Sequence, residues 1–300
     1  MKSFSKVLLA TSLLIVSPLF PVSAQPDTPD AVNLACIDGQ CDRDIRSLQK
    51  MARYNNFEAM TLLSMIYATG DGLDADPKKA LSYLERAAKH RSPMAVFLLS
   101  EWYREGFVVA QDPQQSDKLL SEAVKLNHPP AQYRKALQLL QQADTTDVAS
   151  AITLLEQASE KRLVDAMFLL ARLKQNGAFV AQDIEGAAQL FKNLVLSGHD
   201  QSRPYLRNTI EMLAAEPNKS ALVANLQQSY DVEVIRIIDR DFNATSLLSN
   251  AVSQMNRTGL YSRGSMTKFP EISCDVTNTC LSFRPQPGEK SVRQALISQK

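Results

Sequence analysis

The chain has 300 residues with 33 basic and 32 acidic side chains, a formal net charge of +1. So even a balance excludes the strongly basic surface of a nucleic-acid binder or a protein held on anionic lipid. Apolar residues make up 45% and Gly and Pro only 24 residues, which is enough to build an ordinary folded core.

In chain order, residues 1–24 read as an export signal. Lys2 and Lys6 supply the positive start, Val7 to Phe20 is an interrupted apolar stretch, and Val22-Ser23-Ala24 is a small-x-small cleavage site. The apolar stretch is too short to span a bilayer, so the expected product is periplasmic or secreted and at most peripheral to a membrane. Cleavage after Ala24 leaves 31 basic against 32 acidic side chains. Residues 25–43 read as a linker carrying Cys36-Ile-Asp-Gly-Gln-Cys41, two Cys around an Asp-Gly turn. In an exported chain that pattern predicts a small disulfide loop. A zinc site would need further ligands, and the spacing is wider than that of a redox pair.

Residues 44–202 repeat themselves. Ala59, Ala95, Ala131 and Ala166 stand at steps of 36, 36 and 35. Four residues on come Leu63, Leu99, Lys135 and Leu170, and eight on come Tyr67, Tyr103, Leu139 and Lys174. Eleven on come Gly70, Gly106, Gln142 and Gly177. Then Asp76, Asp112, Asp147 and Asp183 each precede a small residue by four, followed by Leu84, Leu120, Leu155 and Phe191. The spacings place an apolar stripe on each of two helices per unit. Gly closes the first helix, Asp caps the second, and Pro77 and Pro113 fit the first helical position. A lone hairpin of this kind cannot bury both faces, so the unit predicts a stacked array. Arg43 to Tyr54 aligns with a second helix and opens the array as a half unit. The third unit departs from the pattern: Lys135 replaces Leu and the Gly is missing.

Residues 203–230 read as two capping helices, with Leu206, Ile210 and Leu213 apolar in the first. Residues 231–284 read as a small α/β domain: a strand at 232–238, an amphipathic helix from Thr245 to Asn256, and a hairpin at 272–274 and 280–283. Cys274 and Cys280 are expected to bridge that hairpin, which stabilises by roughly 2 kcal/mol in the chain-entropy model. Residues 285–300, with two Pro and a Gly, read as a flexible tail.

This repeat resembles the Sel1-like family, a relative of the tetratricopeptide repeat. The resemblance implies a mainly α fold, an α-solenoid of helical hairpins followed here by the small α/β domain. It also implies a scaffold that holds other envelope proteins together. Some secreted Sel1-like proteins are linked to penicillin hydrolysis, but those carry a Cys pair in each repeat and these repeats contain none.

Nothing in the chain forms a catalytic, cofactor or metal motif. His90, His128 and His199 are spread over the units and read as exposed turn residues. Asp71, Asp74 and Asp76 lack the spacing of a calcium loop and read as turn and cap residues. The candidate partner-binding residues are Trp102, Tyr103, Lys135 and Lys174. Trp102 sits beside the stripe, where it would face the concave surface as an anchor for a protein or a stacking platform for peptidoglycan or another glycan. Tyr103 is a repeat position whose reading as packing stays open beside that one. Lys135 and Lys174 stand where apolar residues are expected, either snorkelling from the stripe or lining the groove.

Overall fold

The computed structural model describes residues 41–142 and 145–231, together with Leu248, Val252 and Met255. Among these residues every regular element is helical. Cys36, Cys274 and Cys280, the strand and hairpin expected at 232–283, the export signal and the tail all lie outside the described residues. Cys41 is the first residue of α1, but its side chain lies outside them too.

Five helical hairpins follow a half unit. The half unit is α1 (Cys41–Arg53). First helices are α2 (Phe57–Thr69), α4 (Pro93–Glu105), α6 (Pro129–Gln142), α8 (Val164–Asn176) and α10 (Arg203–Ala214). Second helices are α3 (Pro77–Lys89), α5 (Pro113–Lys125), α7 (Thr145–Glu160), α9 (Ile184–Leu196) and α11 (Ser220–Tyr230). Each helix packs on the next along the chain, the pattern of stacked hairpins.

The turn inside a hairpin explains the doubled phrase Val-Ala-Gln-Asp. Gly106 and Gly177 sit at φ 69° and 65°, and their N–H groups close α4 and α8 on the carbonyls of Trp102 and Leu173. A Cβ at Gly177 would stand 3.2 Å from that of Gln182, in a conformation L residues already resist. Gln111 and Gln182 donate their side-chain amides to the carbonyls of Arg104 and Gln175, satisfying a helix end that has no backbone partner. Asp112 and Asp183 then accept the N–H of Gln115 and Gly186 and start the second helix. Asp76 does the same for Lys79. The third hairpin is built differently. Its Asp147 lies in the first turn of α7 rather than at the cap, because α7 begins at Thr145.

The turns between hairpins repeat just as strictly. Asn55, Arg91, Asn127, Arg162 and Gly198 all have positive φ, between 55° and 87°. At each, that residue's N–H and the next one's reach back to the end of the preceding helix. Arg91 donates to Ala88 and Ser92 to Ala87; Arg162 donates to Ser159 and Leu163 to Ala158. This is a Schellman close, and it aims every following first helix in the same way.

The stripe positions form the core. Ala59, Leu63, Ala80, Leu84 and Ala87 in the first hairpin, and Ala166, Leu170, Ala187, Phe191 and Leu194 in the fourth, are all buried. Small Ala against large Leu or Phe lets two helices approach without leaving a void. The His residues are not uniformly exposed. His128 is 5% exposed and packs on Phe97, with ring centroids 5.2 Å apart. The half-buried His199 packs on Phe168 at 5.4 Å and shares a 2.7 Å hydrogen bond with Ser202 through Nδ1. Only His90 is exposed, stacked on Phe57. The Schellman turn carries each imidazole back over the preceding hairpin, which is why a turn residue becomes part of the packing.

Leu248, Val252 and Met255 are helical and 1%, 4% and 6% exposed. They belong to the same core as α1 to α5. Three side chains expected in a separate α/β domain therefore pack with the first hairpins of the array.

Candidate functional site

Each first helix carries a second row of side chains beside its stripe. Relative to the repeat Ala at position zero, helical spacing puts positions two, three and six there. These are Thr61, Leu62 and Met65 on α2; Phe97, Leu98 and Glu101 on α4; Tyr133, Arg134 and Leu137 on α6; and Phe168, Leu169 and Arg172 on α8. On α10, Ser202 takes the place of Ala and the positions become Pro204, Tyr205 and Asn208.

This row divides in two. On α2 and α4 all six residues are buried, and nine consecutive residues of each helix, Ala59–Tyr67 and Met94–Trp102, are buried in turn. On α6 and α8 all six are half-buried, and Pro204 and Asn208 are exposed. The part of the row reachable from solvent thus runs along α6, α8 and α10.

Polar and aromatic links fix that open part. Arg134 on α6 donates to the buried carboxylate of Glu101 on α4 at 3.0 Å, and Arg104 donates to the same oxygen at 2.8 Å. Arg172 lies 4.3 Å above the ring of Tyr205. Phe168 meets Tyr205 edge-on at 5.3 Å, and Gln175 donates to Asn208 at 2.7 Å. Burial, with Asp165 nearby, pushes the Tyr133 phenol above its ordinary value, so it stays neutral and can donate or accept. The result is a surface of aromatic rings and guanidinium groups mounted on stacked helices, and such groups recognise other proteins by burial and bidentate hydrogen bonding. No group of three or more His, Cys, Asp or Glu among the described residues is placed to hold a metal.

The four residues singled out in the sequence fall elsewhere. Trp102 is not an exposed anchor. It is 3% exposed and meets Phe107 edge-on at 5.6 Å. Seven residues is two helical turns, so Trp102 lies on the stripe side of α4 rather than beside it. Tyr103 is half-buried and borders an open depression of about 750 Å3 with Leu81 and Val108. Lys174 neither snorkels nor lines the row: its Nζ pairs with Asp183 at 3.1 Å, tying the end of α8 to the cap of α9. Lys135 is half-buried on α6. None of the four belongs to the open row. At repeat position six the series runs Met65, Glu101, Leu137 and Arg172, so residue type at that one position does not announce the open row.

A family model described as the Sel1 repeat matches residues 57–92, 93–128, 129–143 and 164–199. The short third match stops just past Gln142, which stands where the other units have Gly. No curated protein matches the chain. Among solved structures, the chain is similar to a Sel1 repeat protein from Oxalobacter formigenes, at 20% identity and a TM-score of 0.47, covering 68% of this chain and 89% of that one. It is also similar to a protective antigen of uropathogenic Escherichia coli strains displaying an SLR fold, at 16% identity and a TM-score of 0.46. That likeness covers 74% of this chain and about half, 52%, of the antigen. The residues that the Sel1 repeat model matches, 57–143 and 164–199, fall on the stacked α-helical hairpins.

Proposed function

We propose that the chain is a scaffold that holds other proteins of the bacterial cell envelope against the row face of α6, α8 and α10. The observation that carries this reading is the half-exposed run Tyr133, Arg134, Phe168, Arg172 and Tyr205, aromatic and cationic side chains fixed on a rigid stack. Residues of these types dominate the energy of protein interfaces. The Lys2–Ala24 export pattern supports the compartment. A peptidoglycan or glycan platform is less well supported, because Trp102 is in the core. The hydrolase reading rests on repeat cysteines that residues 57–199 do not contain.

A photo-crosslinking side chain at position 133 or 168, activated in cells, is expected to trap one or a few discrete proteins. The same probe at Gln114 on α5 or Glu185 on α9, away from the row, is expected to trap none of them. Identical products from all four positions, or no protein product from 133 and 168, sinks the reading.

A further inference from the structure

We propose that the row face of α2 and α4 is a docking groove for an amphipathic helix, and that this chain's own 245–256 segment is its exchangeable occupant. The groove is distinct from the open row of α6 to α10. A first helix within a hairpin stack is walled by its partner and its neighbours. The remaining face needs a further cover before nine consecutive residues can be buried, and α8, in the same kind of place, is buried on one side only. Among the described residues beyond the array, those that join the α2 and α4 core are Leu248, Val252 and Met255.

The occupant's chemistry is plain. Positions 248, 252 and 255 are i, i+4 and i+7, one face of a helix. No charged residue lies between Thr245 and Asn256. The groove floor matches it. Ser64 and Ser100 occupy the same repeat position, are fully buried, and return their hydroxyls to Thr61 and Phe97 of their own helices at 2.6 Å. Thr61 likewise donates to Phe57 at 2.8 Å. The polar side chains of α2 and α4 are thus satisfied by the array itself, Glu101 by Arg104 and Arg134. One apolar helix can replace another there without any specific polar partner.

The segment is also suited to leave. Ser246, Ser249, Asn250, Ser253 and Asn256 are poor helix formers, which lowers the cost of displacing the segment. Sixteen residues lie between Asp231 and Leu248, a span of seventeen chain steps. Extended, they reach about 55–60 Å. Stacked helices stand about 8–10 Å apart, so four steps back from α10 to α2 need about 40 Å. The tether suffices in cis and gives the segment an effective concentration on the order of millimolar. A competing helix with the same stripe on another protein binds only by displacing it.

The probe is a fluorescent peptide of residues 243–258, and its anisotropy is followed against two full-length chains. One is wild type; the other is Leu248→Asp/Val252→Asp, which evicts the resident. Expected is binding to the double variant at least tenfold tighter than to wild type, with no binding by a peptide carrying the same two changes. Equal binding to both chains, or none to a double variant whose helical circular dichroism matches wild type, overturns the proposal. Hydrogen exchange on wild type alone gives a second measurement that needs no variant. Millimolar unlabelled peptide is expected to speed exchange at amides 248–255 and leave α6 and α8 unchanged; unchanged protection at 248–255 overturns the proposal. A wild-type dimer that the double variant converts to monomer assigns the segment to a second copy and overturns the cis reading.

Discussion

The first two hairpins and the fourth are cut to one plan and differ in what they leave uncovered. α2 and α4 are buried through nine consecutive residues, whereas α8 buries Ala166, Met167, Leu170, Ala171, Leu173 and Gln175 and leaves Phe168, Leu169 and Arg172 half-open. The hairpin stripe is the same in both regions, so hairpin formation does not distinguish them. The difference lies at positions two, three and six. In the sealed part Glu101 is the one charged residue of the six; in the open part Arg134 and Arg172 stand among Tyr133, Leu137, Phe168 and Leu169, and the row stays accessible. A repeat protein can thus assign stability to one stretch and recognition to another without changing its architecture.

Position three offers the sharpest way to break that comparison. Leu62 is fully buried and Leu169 half-buried at the same point of the repeat. Leu62→Ala is expected to cost about 3 kcal/mol, since a filled site loses both transfer energy and packing. Leu169→Ala is expected to cost about 1 kcal/mol, because half of that side chain is already in water. Urea unfolding of the two variants measures both. Equal losses at the two sites contradict a sealed and an open half.

The hairpins themselves were readable because their signals are local and periodic. Ala59, Leu63, Gly70 and Asp76 recur within one unit, and each has a direct geometric meaning. The sealed row depends on residues some 180 positions away in the sequence, and no periodicity reports such a contact. One local trace was present: Phe57–Thr69 is apolar on every side with Glu58 its only charge, the mark of a helix buried all round. Trp102 was misplaced by treating the stripe as narrower than it is. The Schellman series Asn55, Arg91, Asn127, Arg162 and Gly198 was hidden because two Arg stand where Asn or Gly would have announced a positive φ.

The caps give a smaller effect with a pH signature. Asp183 and Asp112 make the same N-cap bond, but Asp183 also faces Lys174 where the second hairpin has Tyr103. The Gly186 N–H, and then Lys174, hold the Asp183 carboxyl below the usual carboxylate range. A carboxylate with a folded pKa below its unfolded value contributes stability that is complete above about pH 4–5, near and above the unfolded value, and is lost as pH falls through the folded one. Asp183→Ala is expected to cost about 1 kcal/mol at pH 7. The gap from wild type should close as pH falls to about 2. Asp183→Asn should retain most of the cap and lose much of that acid dependence. A gap that persists unchanged to pH 2 removes the carboxylate from the account.

The smallest effect tests whether the joints between hairpins are indifferent to the division. Arg91 joins hairpins in the sealed part and Arg162 in the open part; both have φ 59° and both are exposed. An L residue there carries about 1 kcal/mol of steric cost that glycine does not. Glycine also gains freedom in the unfolded chain, which takes back part of that relief. The net for Arg162→Gly or Arg91→Gly is a gain of about 0.5 kcal/mol, the same in both, because neither side chain reaches the row. Gly198→Arg, starting from φ 87°, is expected to lose at least as much. Paired thermal melts of Arg91→Gly and Arg162→Gly decide the matter. A gain at one joint with a loss at the other means the turns are tuned to the face they serve, and then sealed and open regions differ in backbone as well as in side chains.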